Sequence, residues 1–267
     1  MAAVKDPQAG LEFYELSHPW GMYTPIFPGY EEIKLERLTY HAKHGVMTHK
    51  ISTIFHTSTH VNAPIHLLPG KAAVGDLALD RFFGPGVVVS VPKGKWDQVE
   101  PADLEKAQIL ADDIVLINTG WHRRYADSQE YFGHAPGLSK RAAEWLVRKG
   151  VKTVGVDTAT VDHPLATSLG PHRNGPQIKY LLPEYKQTTG REAIQDFPEW
   201  NPAHRTLLAA GIPTIENVGA DLDALSGKRC TFQGFPWKWH EGDACVIRLV
   251  AIFDPSGNYR LESGQGT

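Results

Sequence analysis

The chain of 267 residues has little cysteine, no long apolar run and a net charge of only −3. Two cysteines, Cys230 and Cys245, are too few for a disulfide framework and indicate free thiols in a reducing cytoplasm. Its apolar runs are too short to span a bilayer, and its first residues lack the apolar block of a secretion signal. The charge balance gives no basic footprint for nucleic acid. We therefore expect a cytoplasmic protein with no nucleic-acid and no membrane partner.

Motifs of several enzyme classes are also missing. The sequence contains no GxGxxG or Walker loop, no GxSxG elbow and no CxxC pair, so nucleotide, serine-hydrolase and dithiol redox chemistry lack support. No internal repeat or low-complexity linker divides the chain. We expect one domain over residues 11–261, preceded by a flexible N-terminus over residues 1–10 and followed by a tail over residues 262–267.

Apolar periodicity predicts strands and helices that alternate along the second half of the chain. Buried strands are predicted at residues 113–119, 153–158, 212–218 and 244–253. An amphipathic helix is predicted over residues 138–149, capped by Ser139 and ended by Gly150. A second helix is predicted between Asn201, as its cap, and Gly211. Alternation of this kind indicates an α/β fold, and the strand-rich first half indicates a sheet partly packed on another sheet.

The most informative segment runs from His56 to His66 and reads His-Thr-Ser-Thr-His-Val-Asn-Ala-Pro-Ile-His. Imidazole is the commonest metal ligand in proteins because its neutral ring nitrogen donates at ordinary pH. On an extended segment, the even spacing of His56, His60 and Asn62 places these side chains on one face. The pattern predicts a bound divalent cation with His66 nearby for proton transfer. The alternative is a chance cluster of surface histidines, since the chain has 13.

This segment resembles the HxGTHxDxPxH signature of the cyclase family, which includes bacterial kynurenine formamidases and isatin hydrolases. Other segments resemble the family over nearly the whole chain, at residues 16–19 with 27–29, 115–121, 154–158 with 161–162, 204–208 and 215–217. The resemblance implies a single-domain α/β fold of the swivelling β/β/α type, assembled as a homodimer or homotetramer. It also implies a Zn²⁺ or Mn²⁺ centre that hydrolyses an amide, lactam or ester bond.

The resemblance also assigns roles to residues of this chain. In the family, the positions that match His56, His60 and Asn62 bind the metal, and the position that matches His66 moves protons. In members with two metals, the positions that match His204 and Glu216 complete the second site. The expected metal ligands are therefore His56, His60, Asn62, His204 and Glu216, and the expected catalytic residues are His66 and Glu216.

Two positions depart from the family signature. Ser58 replaces its glycine, so a positive backbone φ is either not required there or is tolerated at some strain. Asn62 replaces its metal-binding aspartate, and a carboxamide offers one neutral oxygen that bridges two cations poorly. We therefore expect one Zn²⁺ or Mn²⁺ ion, strongly Lewis-acidic because most of its ligands are neutral, with His204 or Glu216 joining it. The opposing expectation is that metal binding is lost.

The expected function is hydrolysis of an amide, lactam or lactone bond in a small, ring-containing molecule by metal-activated water. Aromatic and neighbouring side chains are expected to shape the substrate pocket, namely Trp20, Tyr23, Phe27, Trp237, Trp239 and His240. Two alternatives stay open: a non-hydrolytic cyclase, lyase or isomerase on the same scaffold, and a binding protein with a vestigial site.

Overall fold

The computed structural model describes residues 3–172, 178–259 and 261. The expected tail, residues 262–267, and the first two residues of the expected N-terminal segment lie outside this range. The strands are Val4–Lys5 (β1), Glu12–Glu15 (β2), Lys34–Thr39 (β3), Thr48–Ser52 (β4), His60–Asn62 (β5), Phe83–Ser90 (β6), Gln98–Val99 (β7), Ile114–Asn118 (β8), Gly137–Leu138 (β9), Thr153–Val156 (β10), Thr214–Glu216 (β11), Arg229–Gln233 (β12), Ala244–Val246 (β13) and Val250–Phe253 (β14). The α-helices are His41–His44 (α1), Pro101–Leu104 (α2), Gln129–Gly133 (α3), Lys140–Lys149 (α4), Leu181–Thr189 (α5), Ala193–Asp196 (α6) and Pro202–Ala209 (α7). Short 3₁₀ helices lie at Pro64–His66, Val74–Asp76, Leu79–Phe82, Trp121–Arg124, Pro164–Ala166 and Ala220–Leu225.

One mixed sheet of 10 strands organises the molecule, in the order β1-β2-β14-β12-β6-β8-β10-β11-β5-β13. At its centre β6, β8, β10 and β11 run parallel, and antiparallel pairs flank them on both sides. The unbroken apolar run of β8 is typical of a parallel strand that is covered on both faces. Two small sheets, β3 with β4 and β7 with β9, complete the fold. The predicted single-domain α/β fold class is confirmed.

Successive residues of the central strands point into two different apolar cores. Val87 of β6 lies in the core that the sheet forms with Leu146 of α4. Val88, the next residue, lies in a second core that contains Val61 of β5 and Phe232 of β12. Because β5 and β12 belong to opposite halves of the sheet, this second core lies inside the curvature of the sheet. Curvature of one sheet thus replaces the predicted packing of one sheet on another.

Most of the predicted elements form where the sequence places them. The helix predicted over residues 138–149 is α4, with the Ser139 hydroxyl accepting the Ala142 N–H group at 3.1 Å and Gly150 at φ 73°. The strands predicted at residues 113–119, 153–158 and 212–218 form as β8, β10 and β11, each shorter than predicted. The strand predicted over residues 244–253 is wrong as a single element because it divides into β13 and β14.

That division follows from the pairing of its two halves. β13 pairs with β5 at one end of the sheet, whereas β14 pairs with β12 and β2 near the other end. The intervening backbone is held on both sides: the Ile247 N–H group donates to the Thr59 carbonyl at 3.1 Å, and the Leu249 N–H group donates to the Ser17 hydroxyl at 2.7 Å. The three residues between β13 and β14 span four Cα–Cα steps and reach at most about 14 Å. The two ends of the sheet therefore lie close together, around the segment that carries the signature histidines.

The second predicted helix forms as α7, but its cap differs from the prediction. Asn201 has a φ of 47° and its side chain makes no capping hydrogen bond. The carboxylate of Asp162 accepts the N–H groups of Ala203 at 2.7 Å and His204 at 3.0 Å instead. Burial raises the pKa of Asp162 to about 7, against the lowering effect of these two hydrogen bonds. A distant residue thus fixes the first turn of α7, and with it His204.

Both cysteines are free and buried, as predicted, with Cys230 in β12 and Cys245 in β13. Among the helices of the described residues, none combines the length and the apolar content that crossing a bilayer requires.

Candidate functional site

All four histidines predicted as metal ligands or catalytic residues line one cavity. The ring centroids of His56 and His66 lie 4.2 Å apart, those of His56 and His60 lie 5.4 Å apart, and those of His66 and His204 lie 5.7 Å apart. These rings line a cavity of about 290 Å³ together with Glu216. The structure thus brings together side chains from residues 56–66, α7 and β11, and the alternative of scattered surface histidines is wrong.

Strand register accounts for the centre of the cavity. β5 lies between β11 and β13, and its pairing with β11 sets His60 opposite Glu216 and Asn62 opposite Thr214. Directly opposed residues of an antiparallel pair have Cβ atoms about 5 Å apart, within reach of longer side chains. The Nε2 atom of His60 accordingly lies 3.1 Å from the Oε2 atom of Glu216, with both side chains almost fully buried.

The turn before β5 fixes the orientation of His60. Ser58 has a φ of 52°, so the expectation that a positive φ is not required is wrong, and the strain of about 1 kcal/mol is tolerated. Its carbonyl accepts the Nδ1–H group of His60 at 2.9 Å and the side-chain amide of Asn217 at 2.8 Å. Because Nδ1 of His60 donates, the lone pair of the neutral ring lies on Nε2, on the cavity side.

Glu216 and His204 form the buried wall of the cavity. The Oε1 atom of Glu216 accepts the Val161 N–H group at 3.0 Å and lies 3.8 Å from Nδ1 of His204, whose Nε2 atom is hydrogen-bonded to the Thr214 hydroxyl at 2.7 Å. Burial alone would raise the pKa of Glu216, but His60 and His204 outweigh burial and lower it to about 2. Burial lowers the pKa of His204 to about 3, despite the opposing charge of Glu216. Glu216 is therefore ionised and His204 neutral near pH 7.

Two buried polar atoms at this wall lack a hydrogen-bond partner within the described residues: Nε2 of His60 and Oδ1 of Asn62. Nε2 of His60 and Oε2 of Glu216 lie 3.1 Å apart without hydrogen-bond geometry. Asn62 is fully buried, and its Nδ2 atom lies 3.5 Å from the Thr214 hydroxyl. Buried polar atoms without partners are uncommon, and imidazole nitrogens with carboxylate and amide oxygens are the donors that Zn²⁺ and Mn²⁺ accept. The residues present therefore fit a divalent cation.

Asp243 is a member of this cluster that the sequence analysis missed. Its Oδ2 atom lies 2.8 Å from Nε2 of His56 and 3.7 Å from Nδ1 of His66, and one donor atom from each of these three residues lies within 4.8 Å of the others. The hydrogen bond from His56 and then the nearby imidazole of His66 hold the pKa of Asp243 far below its usual range. Nothing in the sequence separates Asp243 from the other acidic residues except its position directly before the apolar closing segment. Only the pairing of β13 with β5 shows that this position adjoins the signature.

The aromatic pocket predicted from the sequence is only partly correct. Phe27 lines the histidine cavity, together with Tyr30 and Trp200, which the sequence analysis did not select. Trp20 and Trp237 line a separate groove of about 900 Å³. The other three expected residues lie away from the cavity lining: Tyr23 and His240 are exposed, and Trp239 packs on Phe55 with ring centroids 4.8 Å apart. The wall near the histidines is therefore built by residues around positions 27–30 and 200.

Comparisons with known proteins identify a family and several relatives. The model of the Cyclase family matches residues 14–163. The kynurenine formamidase of Bordetella pertussis is 28% identical over 160 residues, which cover 60% of this chain and 75% of that protein. The kynurenine formamidase of Bacillus cytotoxicus is 26% identical over 152 residues, which cover 57% of this chain and 70% of that protein.

Solved structures resemble the fold over a longer part of the chain. Isatin hydrolase A from Ralstonia solanacearum has a TM-score of 0.71 at 20% identity, covering 92% of this chain and 93% of its own. An isatin hydrolase bound to the product analogue thioisatinate has a TM-score of 0.73 at 19% identity, covering 91% and 92%. A structure described as a potential metal-dependent hydrolase with cyclase activity has a TM-score of 0.65 at 21% identity, covering 91% and 98%. At these identities the likeness concerns the fold alone.

Proposed function

The chain belongs to the Cyclase family, and from that premise we propose that it is a metal-dependent hydrolase. It cleaves an amide or lactam bond, or alternatively a lactone bond, in a small molecule that carries a ring. The observation that carries the proposal is the convergence of His56, His60, His66 and His204 on one cavity beside Glu216. The kynurenine formamidases among its relatives, which act on an amide bond, support the bond type.

One Zn²⁺ or Mn²⁺ ion is the proposed cofactor. The residues that would hold it are the expected ligands, His56, His60, Asn62, His204 and Glu216. When bound, such an ion supplies Lewis-acid chemistry, because its charge polarises a carbonyl group and acidifies water. The unpartnered Nε2 of His60 and Oδ1 of Asn62 support this assignment. Ser58 supports it as well, because its carbonyl holds His60 in the tautomer that leaves Nε2 free.

His66 is the proposed proton carrier. Its side chain is about one-fifth exposed (19%), so solvent and substrate reach it, whereas His60 and His204 are almost fully buried. Its ring lies against that of His56, at the accessible end of the cluster. His66 takes a proton from the attacking water and returns one to the leaving nitrogen. Glu216, ionised and shielded from water, offsets the positive charge that develops on the neighbouring imidazoles.

The cavity favours a planar substrate of modest size. Its volume of about 290 Å³ is at the lower end of the range for small-molecule sites. Phe27, Tyr30 and Trp200 supply flat apolar surface, and the ring of Tyr30 stacks toward His56 with centroids 6.0 Å apart. Such walls suit an aromatic ring that is fused or attached to the scissile amide.

The direct test combines metal analysis with hydrolysis assays. Protein purified without added metal is expected to contain about one Zn or Mn per chain. It is also expected to hydrolyse isatin, N-formylkynurenine or a simple lactam or lactone in a reaction that a chelator stops and added metal restores. Glu216→Gln, which keeps the shape of the side chain and removes its charge, is the matched variant and should lose both metal and activity.

The other outcomes identify the alternatives. Metal that remains substoichiometric, with no uptake on titration, would contradict the hydrolase proposal and favour a binding protein with a vestigial site. Stoichiometric metal with conversion of substrate but no uptake of ¹⁸O from labelled water would favour a cyclase, lyase or isomerase.

We also propose that the chain assembles as a homodimer or homotetramer. The support is the hairpin of β3 and β4, in which every residue of β4 is exposed and Leu38, Val46, Met47 and Ile51 are about half exposed. A two-stranded hairpin is only marginally stable alone in water, so contact with a second copy would stabilise it. Light scattering is expected to give at least twice the mass of one chain, and a monomeric mass at micromolar concentration would contradict the proposal.

A cytoplasmic location is the remaining proposal. The two buried free thiols support it, because a reducing compartment keeps cysteines unpaired. Recovery of the protein in the secreted fraction of its host would contradict it.

A further inference from the structure

We propose that Asp243 is a ligand of the divalent cation and supplies the negative charge that Asn62 cannot supply. In this proposal the carboxylate of the site stands at the residue before β13 instead of at Asn62, the last residue of β5. The inference rests on the proposed metal-dependent function. It adds to the metal site a protein ligand that lies outside the signature segment and that the sequence did not predict.

The first argument is geometric. Oδ2 of Asp243 lies 2.8 Å from Nε2 of His56, an expected ligand. Donors bound about 2.1 Å from one tetrahedral or octahedral ion stand roughly 3–3.5 Å apart. An ion held by Nε2 of His56 therefore has this carboxylate oxygen within ligand distance after little or no movement. Nδ1 of His66 lies 3.7 Å from the same oxygen, so His66 is the imidazole next to this pair.

The second argument concerns charge. His56, His60, His204 and Asn62 are neutral donors in their metal-binding forms, so Glu216 alone would offset a charge of +2. One oxygen of Glu216 is already engaged by the Val161 N–H group. A charge of +2 on one ion is offset when the carboxylates of Asp243 and Glu216 both contribute.

The third argument is that the backbone of Asp243 is anchored to the signature itself. β13 pairs with β5 so that Ala244 stands opposite Asn62. The carbonyl of Asp243 accepts the Ala63 N–H group at 2.9 Å. The backbone of Asp243 is therefore fixed one residue away from the position whose carboxylate is missing. Its side chain is about half exposed, at 47%, whereas that of His56 is almost buried.

An orienting role is the competing interpretation. Carboxylates often hold metal-binding imidazoles in place by hydrogen bonding to them, and Asp243 contacts His56 in that manner. Moving the carboxylate from position 243 to position 62 distinguishes a ligand role of Asp243 from an orienting role. A ligand carboxylate can be supplied from position 62, whereas a carboxylate at position 62 cannot reproduce a hydrogen bond that holds His56.

The test compares metal affinity in the intact protein and four variants, by competition with a chelator for Zn²⁺ and by the visible spectrum of the Co²⁺ form. Asp243→Asn is expected to weaken binding of the first ion by more than about 100-fold. The double variant Asn62→Asp/Asp243→Asn is expected to recover most of that loss and a Co²⁺ spectrum close to that of the unmodified protein. Glu241→Gln, which removes a neighbouring exposed charge, is the matched control and should bind normally. Asp243→Ser gives the same comparison if the asparagine variant does not fold.

Three outcomes are distinguishable. If the unmodified protein binds no metal, the proposed function itself fails. If it binds metal and Asp243→Asn or Asp243→Ser binds as tightly, Asp243 is not a ligand and only this inference is overturned. If affinity falls and the double variant does not recover it, Asp243 orients His56 and the exchange of carboxylates is wrong.

Discussion

Replacement of His66 by alanine is expected to lower kcat by about 10²–10⁴-fold without changing the metal content of the protein. His66 is the most exposed of the four imidazoles in the cluster, so its removal takes away the group best placed to pass a proton to the leaving nitrogen. Nε2 of His60 and Oδ1 of Asn62 remain to bind the ion. Turnover of isatin or N-formylkynurenine, measured beside elemental analysis of the same sample, gives both quantities.

The matched control is His240→Ala, which removes an exposed histidine outside the cavity lining and should change neither kcat nor metal content. Loss of metal in His66→Ala would show that His66 binds the ion together with His56 and Asp243. Unchanged turnover with full metal content would show that another group carries the proton. Partial rescue of the alanine variant by added imidazole would support the proton-carrier role directly.

Asn62→Asp is expected to have the second large effect, a rise in bound metal from one ion toward two. A carboxylate at position 62 is able to bridge two cations between His60 and the His204–Glu216 wall, which a carboxamide does poorly. In the absence of metal the same substitution buries a second carboxylate close to Glu216. We expect this to destabilise the metal-free protein by about 3–5 kcal/mol, because position 62 is fully buried. Added Zn²⁺ or Mn²⁺ should restore the lost thermal stability.

Calorimetric titration with Mn²⁺ and thermal unfolding with and without metal measure these two effects. Asn62→Ala is the control, because it removes the amide oxygen without adding charge and should never bind a second ion. A single ion with unchanged stability in Asn62→Asp would contradict the account of this position. That result would indicate that the side chain at position 62 lies outside the reach of any cation.

The sequence predicted most of the local structure because local rules determine it. The helix α4 has its own cap in Ser139 and its own stop in Gly150, so no distant residue is needed to define it. The parallel strands are continuous apolar runs, which are recognisable without knowledge of their partners. The signature residues likewise form one short segment, so their common cavity could be inferred from spacing and resemblance. Conversely, the Asn201 cap was predicted wrongly because a distant carboxylate, Asp162, performs that function.

The sequence by itself thus determined the α/β class, the signature imidazoles and the missing carboxylate at position 62. Tertiary structure decided which groups join them. Tyr30 and Trp200 line the cavity from distant parts of the chain, and Asp243 contacts His56 through the pairing of β13 with β5. Each belongs to a segment whose local pattern is unremarkable. The physical reason is that spacing along the chain fixes the direction of a side chain within its own element. Its neighbours across the sheet depend on the strand register, which the burial of the apolar cores determines.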